Sequence, residues 1–464
     1  MTTRRSQPGR QLGIVHSRSL PIWSFVLVIL LLVTGMRLLA AHRHRPTPAL
    51  TLTGPSHRPF SWVFTQKEDP AGGLQIDEPS PPAWAKAISV EQARVTKGRF
   101  AQDLPDGYHA LLTLDPRLQK TAETLLRRYD VPYGAAVMID VHSGNLLVMA
   151  GSSAADKNLG TNQLCLTPWA PAASLFKVIT TSALLSENRA KLFTRVCYHG
   201  GSRRLTARHL RDDPTRDDQC DTLAGALAKS TNAIIAKLAL KHLDRTTLLK
   251  YALAFGFNRT IDFVLPPKIS PAAIPREPVA RAKVAAGFWH TNLSPLHGAL
   301  IAATIANRGV MIRPRILAAL TKDGKAQDLP EQWQQPVISE FVAHLLTKAM
   351  VMTTRIGTAR RAFYTKSGQA YVPWATVAGK TGSLTRVDPY VDYSWFIGFA
   401  PADHPKVAFA VLLGNPRRWR VKAAQIARML LQKYGRLHPE LRGQDRSRPR
   451  KNRVMFPKQR NRRR

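Results

Sequence analysis

A hydroxyl is a weak nucleophile until a neighbouring base takes its proton, and a lysine is such a base only when its pKa is lowered. Ser174-Leu175-Phe176-Lys177 meets the first need. Residues three apart share a helix face, so a helix beginning near Ala173 sets the Lys177 amine one turn from the Ser174 hydroxyl. Lys380, in Lys380-Thr381-Gly382, meets the second, because a cation beside a desolvated amine makes its protonated form costlier. The backbone N–H of Ser174 at a helix start is one donor for developing negative charge. The N–H of Ser383 is the expected other, with Gly382 letting a substrate lie against the strand. Between these strings stands Ser230-Thr231-Asn232, where Ser230 would pass a proton to a leaving amine and Asn232 would hold a substrate amide. Taken alone, Ser230 is an acceptable N-cap for the helical pattern at 233–238. Each string arises readily by chance; three in this order, with complementary chemistry, specify a serine acyl-transfer site.

The elements that must position these groups follow from periodicity. An extended run at 108–114 precedes a helix opened by Asp115, with Leu118, Ala122 and Leu125 on one face. Apolar runs at 134–139 and 146–150 flank a turn at 140–145 and predict a hairpin. The stretch 174–308 is mostly helical in pattern. Strands are expected again at 375–380, 393–400 and 407–413, followed by an amphipathic helix at 421–434. Strands at both ends and helices between them predict an α+β domain whose antiparallel sheet draws on both ends of the sequence.

With these residues in place, the stretch 108–435 resembles the transpeptidase domain of penicillin-binding proteins, of the serine D,D-transpeptidase and β-lactamase-like superfamily. Thr113-Leu114-Asp115, Leu293-Ser294-Pro295-Leu296, Ile305-Ala306-Asn307-Arg308-Gly309, Gly357-Thr358-Ala359 and the run from Trp395 to Pro401 add to the likeness. The resemblance implies a five-stranded antiparallel sheet flanked by helices, plus a helical subdomain. It implies that Ser174 attacks the penultimate D-alanine carbonyl of a peptidoglycan stem peptide, releasing D-alanine, and that a neighbouring stem's amine resolves the acyl-enzyme into a cross-link. Lys380 and Thr381 would hold the terminal carboxylate, and β-lactams would acylate the same serine. Ala173 stands where the family commonly has Gly, and Ser383 where it more often has Thr. A D,D-carboxypeptidase uses the same groups, and a non-catalytic β-lactam sensor is a further alternative. A class A β-lactamase is disfavoured: no Glu between Asn232 and Lys380 is followed three residues later by Leu-Asn.

The chain has 464 residues, 44% of them apolar, and a formal charge of +38. Residues 20–36 carry no charge, and with 37–41 they predict a transmembrane helix over 20–41, preceded by Arg4, Arg5, Arg10 and Arg18. The expectation is a single-pass protein of the bacterial cytoplasmic membrane, with 1–19 cytoplasmic and the catalytic domain exported; a cleaved signal peptide ending near Leu39-Ala40-Ala41 is the competing reading. Residues 42–107, rich in Pro, are expected as a linker or small pedestal, too short for a glycosyltransferase domain, so a monofunctional enzyme is expected. Export permits a disulfide, and Cys197 with Cys220 is the expected pair, leaving Cys165 over. Neither a metal nor a cofactor is expected, and His290 and His297 read as structural. Residues 436–464 carry twelve Lys or Arg against two acids and predict a disordered tail that meets anionic cell-wall polymer or phospholipid headgroups. No helix-turn-helix, zinc or aromatic-platform signature supports nucleic-acid binding.

Overall fold

The computed structural model describes residues 67–68, 74–75, 82–202 and 204–443, and the elements below belong to one unit that begins at Glu68. After a two-residue strand at Leu74–Gln75 and a one-turn helix at Ala83–Lys86 come three short strands: β1 (Arg94–Thr96), β2 (Arg99–Asp103) and β3 (Tyr108–Leu112). Helix α1 (Pro116–Arg128) starts where Asp115 accepts hydrogen bonds from the N–H groups of Arg117 and Leu118, with Pro116 in the first turn, where no intrahelical donor is lost. Then come the hairpin strands β4 (Tyr133–Asp140) and β5 (Leu146–Ser152), helix α2 (Phe176–Ser186), a second hairpin of β6 (Arg195–Tyr198) and β7 (Gln219–Thr222), and helices α3 (Leu223–Lys229), α4 (Asn232–His242) and α5 (Pro295–Ala306). Strands β8 (Leu317–Lys322) and β9 (Lys325–Ala326) precede helix α6 (Glu340–Arg355). Three long strands, β10 (Ala378–Arg386), β11 (Val391–Ala400) and β12 (Val407–Asn415), and helix α7 (Ala423–Leu437) complete the domain.

The main sheet is antiparallel in the order β10-β11-β12-β4-β5, so both ends of the domain meet at the β12–β4 pair, as the strand pattern predicts. Every residue of β11 and β12 is buried, because each face of the sheet is covered. Alternation divides their side chains between two cores. Ile397, Phe399, Ala410 and Leu412 pack with Leu296, Ala299 and Leu300 of α5, whereas Phe396, Phe409, Val411 and Leu413 pack with Leu118 and Ala122 of α1 and Ile426 and Leu430 of α7. The Trp395 indole donates to the carbonyl of Pro171 at 2.9 Å and ties the sheet to the segment that enters the Ser174 turn.

Several expectations need correction. Strand β10 covers 378–386 and not 375–380, since its pairing with β11 continues beyond Lys380 to Arg386 through a stretch in which Ser383 and Thr385 are polar and exposed. A second sheet, ordered β9-β8-β3-β2-β1, places the strand expected to open the domain in its middle and draws β1 and β2 from the stretch read as linker. The helical middle is broken by the β6–β7 hairpin, whose Cys197 and Cys220 stand directly opposite and are joined in a disulfide with Cα atoms 4.0 Å apart. Cys165 is free and buried. The single-pass anchor is also corrected: among the described residues no helix is long and apolar enough to cross a membrane. The stretch expected to span, 20–41, lies outside the described residues. In the expected tail, α7 runs to Leu437 and a 3₁₀ turn covers Pro439–Gly443, while 444–464 lie outside the described residues.

The disulfide encloses the loop between β6 and β7, and a buried lysine braces the same loop from beneath. Lys237 of α4 donates to Asp217 at 2.6 Å, to Asp212 at 3.2 Å and to the Cys197 carbonyl at 3.0 Å. The Lys237 and Asp217 side chains are only 4% and 6% exposed, so neither is left to water. His199 meets the other oxygen of Asp217 at 2.6 Å. On the chain-entropy account, closing a loop of this length stabilises by about 3 kcal/mol. The double variant C197S/C220S is therefore expected to lose about 3 kcal/mol in urea denaturation, and an unchanged midpoint would show that Lys237 and Asp217 alone hold the loop.

Candidate active site

The chain enters the site through a 3₁₀ turn at Ala173–Leu175 that runs into α2. Ala173 has φ 50°, a left-handed conformation that a side chain tolerates at a cost, where the sequence already departs from the Gly common in the resembling family. The turn is pressed from behind by Gly287. A Cβ there would stand 2.2 Å from the Ala173 carbonyl oxygen and 2.9 Å from the Ser174 nitrogen, so only glycine fits. In front lies β10: a Cβ on Gly382 would meet Leu175 at 3.3 Å and the Ala172 carbonyl at 3.4 Å. The strand leading to Ser383 and the turn carrying Ser174 are thus neighbours, while the Ser383 side chain itself is exposed.

The Lys177 side chain is fully buried and directed back along α2. Its Nζ lies 2.7 Å from Ser174 Oγ, 2.7 Å from Asn232 Oδ1 and 2.5 Å from the Ala286 carbonyl oxygen. The last two can only accept, so an uncharged amine spends its two N–H groups on them and its lone pair faces Ser174. Burial, and then the charge of Lys380, hold the Lys177 pKa well below the ordinary lysine range. Asn232 is fixed at its other end too, where Nδ2 donates to the Ser202 carbonyl at 2.7 Å.

Lys380, also fully buried, donates to Ser230 Oγ at 3.0 Å and to the Thr381 carbonyl at 2.9 Å. Burial pushes its pKa down to about 7. Ser230 is not the N-cap that its sequence context suggests. Thr231 holds that place on α4, and Ser230 is the C-cap of α3, with φ 61° and ψ 39°. A non-glycine residue in this left-handed region costs on the order of 1 kcal/mol or more, and here the conformation delivers the hydroxyl to Lys380. Ser174, Lys177, Ser230, Asn232 and Lys380 are accordingly linked through hydrogen bonds into two amine-centred clusters, drawn from α2, the α3–α4 junction and β10. Thr381 and Gly382 lie on the same strand.

Sequence reasoning missed the Ala286 and Ser202 carbonyls, which have no side-chain signature. It also gave no role to Thr358, whose hydroxyl lies 2.6 Å from that of Thr381. A cleft of about 900 Å³ opens elsewhere, between α6 and the β11–β12 turn, and contains none of these groups. Among the described residues no group of His, Cys, Asp and Glu could hold a metal ion. Buried His297 donates from Nε2 to the Phe255 carbonyl at 2.7 Å, and burial lowers its pKa to about 4, so it is neutral and structural.

Known proteins share this arrangement of elements. The chain is 27% identical over 356 residues to the peptidoglycan D,D-transpeptidase PbpA of Mycobacterium tuberculosis, covering 67% of this chain and 68% of that protein. It is 28% identical over 355 residues to PbpA of Mycolicibacterium smegmatis, with the same coverage of 67% and 68%. The solved structure of penicillin-binding protein A from M. tuberculosis as a penicillin G acyl-enzyme complex superimposes with a TM-score of 0.56 at 26% identity, over 71% of this chain and 79% of that one. The profile of the penicillin binding protein transpeptidase domain matches residues 134–432. With the match spanning well over half its length, the chain belongs to the penicillin-binding protein transpeptidase family.

Proposed function

We propose that this protein is a serine-type D-Ala-D-Ala transpeptidase that cross-links peptidoglycan stem peptides. The observation that carries the proposal is Lys177 Nζ, buried and 2.7 Å from both Ser174 Oγ and Asn232 Oδ1. In the proposed reaction Lys177 takes the Ser174 proton as Oγ bonds to the penultimate D-alanine carbonyl carbon. The carbonyl oxygen collects negative charge, which the N–H groups of Ser174 and Ser383 receive. The peptide C–N bond then breaks. The leaving nitrogen takes the Ser230 proton, which is replaced by the one proton that Lys177 removed from Ser174 while Lys380 stays charged, so D-alanine departs as a neutral amine and the ester remains on Ser174. An amine from a second stem attacks that ester along the reverse proton route, forming the new amide and restoring the serine. Asn232 holds the substrate amide, and Lys380 with Thr381 takes the terminal carboxylate. β-Lactams, as anionic mimics of the donor, acylate Ser174.

Labelling with a fluorescent penicillin is expected to be covalent in the wild type and lost in S174A; persistent covalent labelling of the variant would move the nucleophile elsewhere. Lys177→Met keeps the hydroxyl and removes the base, and acylation is expected to fall by about 10²–10⁴-fold. A D-Ala-D-Ala donor supplied with and without an acceptor amine separates transfer from hydrolysis: product that never contains the acceptor would make the enzyme a carboxypeptidase.

The two amines also set the pH dependence. Acylation needs Lys177 uncharged, so its rate falls in acid as that amine gains a proton. It needs Lys380 charged, so it falls again above about 7, where that ammonium loses its own. The expected second-order acylation rate against pH is a bell with its alkaline limb near neutrality; a rate still climbing at pH 9 would exclude a charged Lys380.

Burying Lys380 lowers its folded-state pKa from 10.5 to about 7, so the unfolded chain binds more protons between those values. Stability is penalised in full below about 7 and recovers as the pH rises toward 10.5. Lys380→Met, though inactive, is expected to be more stable than wild type by up to about 5 kcal/mol near pH 6, with the difference shrinking in alkaline solution. Equal or lower stability of the variant in calorimetry across that range would show that the amine's hydrogen bonds outweigh its desolvation.

A further inference from the structure

Thr358 belongs to Gly357-Thr358-Ala359, just beyond α6, and its place in the structure goes beyond that of a loop residue. Its backbone N–H donates to the Ala228 carbonyl at 3.1 Å, near the end of α3 and two residues before Ser230. Gly357 makes this approach feasible, since a Cβ there would stand 2.2 Å from that same carbonyl oxygen. So anchored, the Thr358 hydroxyl reaches Thr381 Oγ1 at 2.6 Å, a short contact for two neutral hydroxyls. The other acceptor within its reach, the Ala228 carbonyl, is distant at 3.4 Å and already receives the Thr358 N–H.

Each hydroxyl has one proton, so the pair can point only one way at a time. When an anion sits beyond Thr381, the Thr381 proton turns toward it, and the lone pair left facing Thr358 accepts the Thr358 proton. Donation into a hydroxyl strengthens the bond that hydroxyl itself donates. We infer that Thr358 is a positioning residue for the donor carboxylate: it donates to Thr381 and so aims the Thr381 hydroxyl at the negative charge. The inference rests on the proposed role of Thr381 in holding that carboxylate, and its occupant is the carboxylate of a D-alanine terminus or of a β-lactam. The same contact joins three segments of the site, because Thr358 touches both the strand carrying Lys380 and the helix end carrying Ser230.

The test measures second-order acylation rates with benzylpenicillin and with its methyl ester, which keeps the reactive ring and removes the charge. The enzymes are wild type, Thr358→Val, Thr358→Ser and Thr381→Val. Valine matches threonine in shape and lacks the donor. T358V is expected to react about tenfold more slowly with benzylpenicillin, the loss for one hydrogen bond in a charge-assisted chain, and within about twofold of wild type with the ester. T358S, which keeps the hydroxyl, is expected to regain most of the difference and stands in for T358V should the latter fail to fold: serine rates close to wild type on the acid, with unaltered preference over the ester, fit the relay. Equal slowing of acid and ester in T358V, or no slowing of either, overturns the inference. T381V separates this from failure of the underlying reading. If T381V does not lower the preference for the acid, the carboxylate is held elsewhere and the proposed role of Thr381 falls; if T381V lowers it and T358V does not, only the relay falls.

Discussion

Two lysine amines withdrawn wholly from water within one site are the constraint on which the rest of the structure depends. An unpaired buried ammonium is prohibitively costly, so each amine must find acceptors, and each side chain must be delivered to them by an element that cannot drift. Lys177 has the Ala286 carbonyl, Asn232 and Ser174; Lys380 has Ser230 and a carbonyl of its own strand. Neither has a carboxylate. An ion pair would satisfy the charge and hold the pKa high, whereas neutral acceptors satisfy the N–H groups and leave the pKa free to fall. The site therefore keeps amines near the point of losing their protons, which is the condition a lysine needs to serve as a base.

The fold supplies the rigidity this demands. Strand β10, at the edge of the main sheet, presents Lys380, and the next two strands are buried on both faces by α5 on one side and by α1 and α7 on the other. Displacing β10 relative to β11 would break a nine-residue ladder and disturb Phe396, which packs against Gly379 from the neighbouring strand. On the opposite wall, the Ser174 turn is caught between Gly287, where a side chain would collide with its backbone, and Gly382, where a Cβ would already press on Trp395 and Leu175. Conformational strain at Ala173 and Ser230 is tolerated because packing on both sides over-determines the backbone there.

Much of this was legible in the sequence. Helical spacing alone placed Lys177 against Ser174, and the strand pattern recovered the main sheet and the helix closing it, because long apolar runs are the strongest local signal available. What was not legible had physical causes. The Ala286 and Ser202 carbonyls act through backbone atoms that every residue possesses. Ser230 looks like an N-cap because capping is a local preference, and its left-handed conformation is stabilised by Lys380, 150 residues away. Strand β10 extends through Ser383 and Thr385, whose side chains carry no apolar pattern, because its partner β11 holds the register. Strands β1 and β2 are short and mostly exposed, and only the pairing of β1 with β2 and of β2 with β3 defines them.

Asn232 is held at both ends, its oxygen by Lys177 and its nitrogen by the carbonyl of Ser202. Turning the amide over would set N–H against an amine and oxygen against oxygen, so its polarity toward an incoming ligand is permanent. That permanence is borrowed from a loop outside the pocket, clamped by the bond between Cys197 and Cys220 and by Lys237 on the same helix as Asn232. The reach of the chemistry thus extends past its motif residues to a covalent staple behind them, and whatever slackens that staple blurs the orientation of an amide that never touches it.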